Sequence, residues 1–245
     1  MIYLSTAMFS RLILLIGLVA TLRLVSYGQC TVSQDDQKRV ITTCKFYEAN
    51  DGFLMNRSDR SQVVSQVVYL GSEYFSYPIW QNGTLEVGEA RKVIPCTIAF
   101  NLVTNEIRCR FAGDSATYAV LPDAFTINGT RFINPTKNVS GQVERTYYMV
   151  LYAGKTRLLK QLKCNLRIRD NDVYRLDDTF NGAFVLQQTY YIQRDNGLLT
   201  PVNLSRKSVL DVLADQAAAL KQILPKNKIT VNELASAVAY YDGFR

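Results

Sequence analysis

The chain has 245 residues, a formal charge of +7 and no histidine. Without imidazole it excludes Ser-His-Asp and Cys-His nucleophilic catalysis, histidine metal ligation, and the usual side chain that titrates near neutrality. An enzyme built from it must use carboxylates, Lys, Tyr or Cys, so composition favours a non-catalytic role.

Residues 1–28 read as an export leader. Arg11 precedes an apolar run over 12–20, and the small residues Ser26 and Gly28 suit cleavage before Gln29. Arg23 interrupts the apolar stretch short of the about 20 residues a membrane span needs, so no transmembrane span is expected after processing. A lipoprotein signal needs a small residue before its cysteine, and Gln29 stands before Cys30. Removing 28 of the 245 residues leaves 217, with 26 basic against 21 acidic side chains. That length suits one sizeable β domain or two small ones. The mild positive bias could favour anionic glycans or lipid head groups, and in an exported chain it argues against a nucleic-acid partner.

Between residues 30 and 72 the signals are mixed. Val32, Val40 and Ile41 sit in strand-like pieces, Asn50-Asp51-Gly52 marks a turn, and 61–70 fits strand or helix. Export permits disulfides, and Cys30 with Cys44 forms one natural pair. Further on, Asn82-Gly83 reads as a tight turn between strands 77–80 and 84–87. A second hairpin sets 93–101 against 105–111. Mirror pairing about Leu102-Val103 would place Cys96 opposite Cys109, a second disulfide candidate; a register shifted by two would place them diagonally. Asn128-Gly129 joins strands 125–127 and 130–133.

Residues 145–169 read as a long hairpin of two unlike strands. Tyr147-Tyr148-Met149-Val150-Leu151-Tyr152 is apolar on both faces, as in a central strand, and Ala153-Gly154-Lys155 supplies the turn. In the return strand Leu158, Leu162, Cys164, Leu166 and Ile168 share one parity, which makes Cys164 a buried free thiol. Arg157, Lys163, Arg167 and Arg169 share the other. Asp195-Asn196-Gly197 then turns between 184–192 and 198–202. The period changes to 3.6 after Ser205, which can cap a helix whose stripe is Val209, Leu210, Leu213, Ala217, Leu220 and Leu224. Pro225 stops it. Thr230 and Glu233 form a capping box before Leu234, Ala237, Val238 and Tyr241.

The expected fold is mainly β: an antiparallel sandwich or partly rolled barrel over 29–204, divisible near 112–122. A C-terminal two-helix element over 205–245 packs on it.

Three phrases carry a resemblance. They are Ile98-Ala99-Phe100-Asn101-Leu102-Val103-Thr104-Asn105-Glu106-Ile107, Val150-Leu151-Tyr152-Ala153-Gly154-Lys155-Thr156-Arg157-Leu158-Leu159-Lys160, and the tail from Tyr190-Tyr191-Ile192 through Leu210-Asp211-Val212-Leu213 to Ala239-Tyr240-Tyr241. Together the chain resembles a group of uncharacterised exported proteins of the Bacteroidota. The resemblance implies an envelope or secreted location, periplasm, outer surface or medium, and carries no catalytic residues. The segment of Cys30 and Cys44 lies outside it.

Several groups invite chemistry. Asp170-Asn171-Asp172 with Asp177-Asp178 offers oxygens, but Val173-Tyr174 interrupts them and no EF-hand glycine or terminal Glu follows. No CxxC-like spacing is present, so neither metal nor cofactor is expected. Trp80 beside a turn could stack on a sugar, though turn packing is the commoner use. Arg157, Lys163, Arg167 and Arg169 on one strand face repel unless they meet anions or water, which makes them the ligand-binding candidates. The function read from the sequence is an exported envelope protein with a non-catalytic binding or structural role. The alternatives are an anionic glycan or lipid-binding module on that basic face and a carboxylate-dependent hydrolase.

Overall fold

The computed structural model describes residues 29–47, 64–88, 92–135, 146–168, 179–226 and 228–244. These form a mainly β fold, one large mixed sheet that does not close into a barrel, with three α-helices at the C-terminal end. The first strands are β1 (Gln29–Gln34), β2 (Val40–Tyr47), β3 (Val64–Leu70), β4 (Gln81–Val87), β5 (Lys92–Asn101), β6 (Glu106–Arg110) and β7 (Tyr118–Val120). Then come β8 (Ala124–Ile127), β9 (Thr130–Ile133), β10 (Tyr148–Ala153), β11 (Arg157–Ile168), β12 (Gly182–Gln193) and β13 (Leu199–Val202). Their order is β1-β2-β3-β12-β11-β10-β9-β8-β4-β5-β6-β7, with β13 beside β12. Neighbours run antiparallel except β3 and β12, which meet in parallel at Tyr69–Gly182 and Leu70–Ala183.

Local chemistry explains most of the turns. Asn128 (φ 47°) and Gly129 (φ 78°) supply the two positive φ values of a two-residue hairpin between β8 and β9. Asn82-Gly83 does not turn. It lies inside β4, where Gly83 pairs with Cys96 on one side and Ile127 on the other. Glycine is needed there because the strands approach closely: an added Cβ would stand 2.1 Å from the Thr126 carbonyl oxygen.

The β5–β6 register also departs from mirror symmetry. Thr97 pairs with Arg110 and Asn101 with Glu106, leaving Leu102, Val103, Thr104 and Asn105 as the turn. Asn101 Oδ1 accepts from the backbone N–H groups of Val103 and Thr104 at 2.9 and 3.1 Å, and Asn105 takes φ 57°. This side-chain-capped turn displaces the pairing by two residues. Cys109 therefore faces Ile98, and Cys96 and Cys109 are diagonal free thiols rather than a disulfide. Cys30 and Cys44 do pair, as a disulfide joining directly opposed residues of β1 and β2.

Two cores pack on the sheet. The first gathers Leu85, Ile98, Phe100, Ile107, Phe125, Ile127, Phe132, Tyr147, Leu162 and Cys164. Its phenyl rings stack or meet edge-on at 4.9–5.4 Å among Phe100, Phe125 and Phe132. The second joins Leu158, Ile192 and Val202 to the helices through Val209, Leu213, Leu220, Leu224, Leu234, Ala237, Val238 and Tyr241. β11 thus serves both cores from one parity, with Leu158 in the second and Leu162 and Cys164 in the first. Cys164 is the buried free thiol that its parity predicts.

The helices are α1 (Arg206–Val212), α2 (Ala217–Ile223) and α3 (Val231–Asp242), with a 3-10 turn at Ala214–Gln216 between the first two. Ser205 caps α1, and Thr230 and Glu233 form the predicted capping box of α3. The helix predicted over 205–224 is interrupted at Leu213 (φ −109°, ψ 44°). Arg194, in the β12–β13 turn, donates to the Val212 carbonyl and pairs with Asp215 at 3.4 Å. Tyr241 donates to the same Asp215 carboxylate at 2.6 Å, so the interruption becomes a joint between sheet, turn and α3. The stripe survives the break: Val209, Leu213, Leu220 and Leu224 are all buried.

Candidate functional site

The basic parity of β11 faces away from the helices, since Leu158 on the opposite parity is the residue that packs under them. Arg157, Lys163 and Arg167 are exposed, and Arg169 lies outside the described residues. They do not form one cluster. At about 3.3 Å per residue, Arg157 and Arg167 stand roughly 33 Å apart along the strand. Arg157 Nη1 donates to Gln193 Oε1 at 3.5 Å at one end of the strand, and Arg167 lies near the other.

Between them the same face carries an aromatic and amide group. Tyr148 and Tyr191 meet edge-to-face at 5.4 Å, and the Tyr191 hydroxyl donates to Gln161 Oε1 at 3.2 Å. These tyrosines pack within the sheet, as their apolar context predicts.

Lys163 is the member of the row that borders a concavity. β10 ends at Tyr148, opposite Gln161, so β11 continues past its neighbour. The β5–β6 turn approaches that open stretch, and the Leu102 carbonyl accepts from the Cys164 N–H at 3.2 Å. A shallow cleft of about 220 Å³ remains, lined by Leu102, Val103, Asn105, Thr146, Tyr147, Gln161, Leu162 and Lys163. The side chains of Leu102, Tyr147 and Leu162 turn into the first core beneath the cleft, and the Tyr147 hydroxyl donates to the Pro122 carbonyl at 2.9 Å.

The polar groups of the cleft are neutral or positive. Among the described residues Lys163 makes no ion pair, Asn105 and Thr146 make no side-chain hydrogen bond, and the Gln161 Nε2 donors have no partner. Among the described residues no carboxylate lines it. A cation beside three neutral hydrogen-bonding groups can hold a small anion. Sequence reasoning singled out Lys163 by its parity and missed Asn105, Thr146 and Gln161, which only the docking of the β5–β6 turn brings to it.

The other groups of interest are engaged elsewhere. The Arg110 guanidinium lies 3.8 Å over the Trp80 ring and its Nε donates to Thr117 at 3.1 Å, so one indole face is already covered. Among the described residues the carboxyls with shifted pKa values lie low. Asp35 is depressed because its bonds to Arg39 outweigh desolvation. Asp114 is lowered by the Ala116 N–H and the Tyr118 hydroxyl, and Glu233 by the Thr230 N–H and hydroxyl. Lys160 sits on the apolar parity between the two cores, where desolvation lowers its pKa. Among the described residues no group of three metal-ligating side chains occurs, and no helix is long and apolar enough to cross a membrane. The acidic run 170–178 and the leader, residues 1–28, lie outside the described residues.

No family model matches the sequence, and neither a curated protein nor a solved structure shows significant similarity to it.

Proposed function

We propose that this is an exported, non-catalytic protein of a bacterial envelope that binds an anionic glycan or head group beside Lys163. The observation that carries the reading is the cleft itself: an exposed Lys163 ammonium without an ion-pair partner among the described residues, beside three neutral polar groups and no described carboxylate. Fixed geometry without an acid–base pair suits holding a ligand better than hydrolysing it. Export is supported by the leader-like residues 1–28, by the Cys30–Cys44 disulfide, a bond rare in reducing compartments, and by the resemblance to exported Bacteroidota proteins.

Immobilised heparin tests the reading. Wild-type protein is expected to be retained and to elute as salt screens the contact, with Lys163→Glu eluting at distinctly lower salt and unfolding at the same temperature. Identical elution of the two proteins would remove the proposal.

A further inference from the structure

We infer that the tip of the helical hairpin formed by α1 and α2 seats the protein on an anionic lipid bilayer. This surface is separate from the Lys163 cleft, which lies on the face of the sheet turned away from the helices. Five cations meet at the tip although they come from three segments. Arg206 and Lys207 open α1, Lys221 lies in the last turn of α2, and Lys226 and Lys228 follow it. Two contacts gather them: the Arg206 guanidinium donates to the Lys221 carbonyl, and Ser205 forms a β-bridge with Lys228. Val209, Leu220, Leu224 and Ile229, all buried in the second core, hold the backbone beneath.

Local stability does not account for this grouping. Cations in the first turn of a helix oppose its dipole, yet α1 carries two there and no acid. Among the described residues none of the five forms an ion pair. Asp211 and Asp215 lie towards the other end of the hairpin, where Asp215 holds Arg194 and Tyr241, and the Glu233 carboxylate is taken by Thr230. Lys207, Lys221, Lys226 and Lys228 are exposed. Ile223, between Lys221 and Lys226 in sequence, is 45% exposed. A polyanionic glycan in water gains little from that side chain. A bilayer interface uses both kinds of group, since the ammonium groups meet lipid head groups and the isoleucine enters between them. Lysines are compact point charges without a fork, which suits a mobile layer of head groups better than one fixed acid.

Co-sedimentation of the full chain with vesicles of equal parts phosphatidylglycerol and phosphatidylcholine tests this. Vesicles of phosphatidylcholine alone measure what the apolar residues 12–20 contribute by themselves. Binding to the anionic vesicles is expected to exceed that baseline and to fall with salt. Lys226→Gln should weaken it about fivefold and Lys221→Gln/Lys226→Gln about twenty-five-fold, because each basic residue near such a surface is worth about a factor of five. Ile223→Gln should also lose about fivefold, with heparin retention unchanged. Lys163→Gln removes the same charge from the other face and should leave vesicle binding as it was. An equal loss from Lys163→Gln would show that net charge governs binding and would overturn the inference. Binding no stronger to anionic than to neutral vesicles overturns it too. If Lys226→Gln lowers heparin retention while vesicle binding stays, the occupant is an acidic polysaccharide and the bilayer assignment falls.

Discussion

Replacing Gly83 by alanine distinguishes a strand from a turn at Asn82-Gly83. In the structure the new Cβ would lie 2.1 Å from the Thr126 carbonyl oxygen and 2.7 Å from Ile98 Cδ1. Ordinary contact begins near 3.4 Å, so the β8 carbonyl must retreat by more than 1 Å. Ile98 is fully buried and cannot swing aside. Overpacking of this kind costs about 1–3 kcal/mol, and each ladder hydrogen bond weakened by the retreat adds about 0.5–1.5 kcal/mol. A total of about 3–4 kcal/mol follows, which in a chain of this size lowers Tm by roughly 6–16 °C. Gly129→Ala is the control. Its Cβ meets nothing within 4 Å, so only the left-handed backbone (φ 78°) opposes it, at about 1–2 kcal/mol. Urea denaturation of the two variants gives the comparison directly. Equal losses would refute the close β4–β8 approach and return Asn82-Gly83 to a turn.

Three further outcomes follow. Tyr241→Phe removes the 2.6 Å hydrogen bond to Asp215 and should cost about 1–1.5 kcal/mol by urea denaturation, and substantially less in an Asp215→Ala background. Denatured, unreduced protein should show three reactive thiols, from Cys96, Cys109 and Cys164, rising to five after reduction; one thiol before reduction would mean that Cys96 and Cys109 are joined. Burial pushes the Cys96 thiol up to about 11, with Cys109 adding to the effect. The folded state then holds a proton that the unfolded state releases above about 9, so stability should fall as pH rises from 9 towards 11, and Cys96→Ser should flatten that slope.

Where local chemistry decides, the sequence was readable. Asn128-Gly129, the Ser205 cap, the Thr230–Glu233 box and the buried positions Leu234, Ala237, Val238 and Tyr241 all depend on residues within one turn of each other. So does the alternation along β11 that buries Leu158, Leu162 and Cys164. What escaped it depends on distant partners. The same Asn-Gly dipeptide is a turn at Asn128 and strand interior at Asn82, because β8 and β5 clamp Gly83 from both sides. The interruption of the predicted long helix at Leu213 answers to Arg194, far back in the β12–β13 turn. Lys163 could be named from parity alone, but its cleft exists because Leu102 docks on Cys164, a contact that no spacing announces. The partial mirror symmetry about Leu102-Val103 left two registers open for Cys96, and the longer turn enforced by Asn101 and Asn105 selects the shifted one.

The N-terminal three strands have a mechanical consequence. They join the rest of the sheet through two parallel residue pairs, reinforced by Asn181, whose N–H donates to the Val68 carbonyl and whose side chain accepts from the Val68 N–H. Tension applied at Gln29 would pass through the Cys30–Cys44 bond into β2 without unzipping the rest of the β1 ladder. It would next reach this narrow seam, so an oxidised molecule should yield first where β3 meets β12, shedding a stapled flap while both cores stay intact.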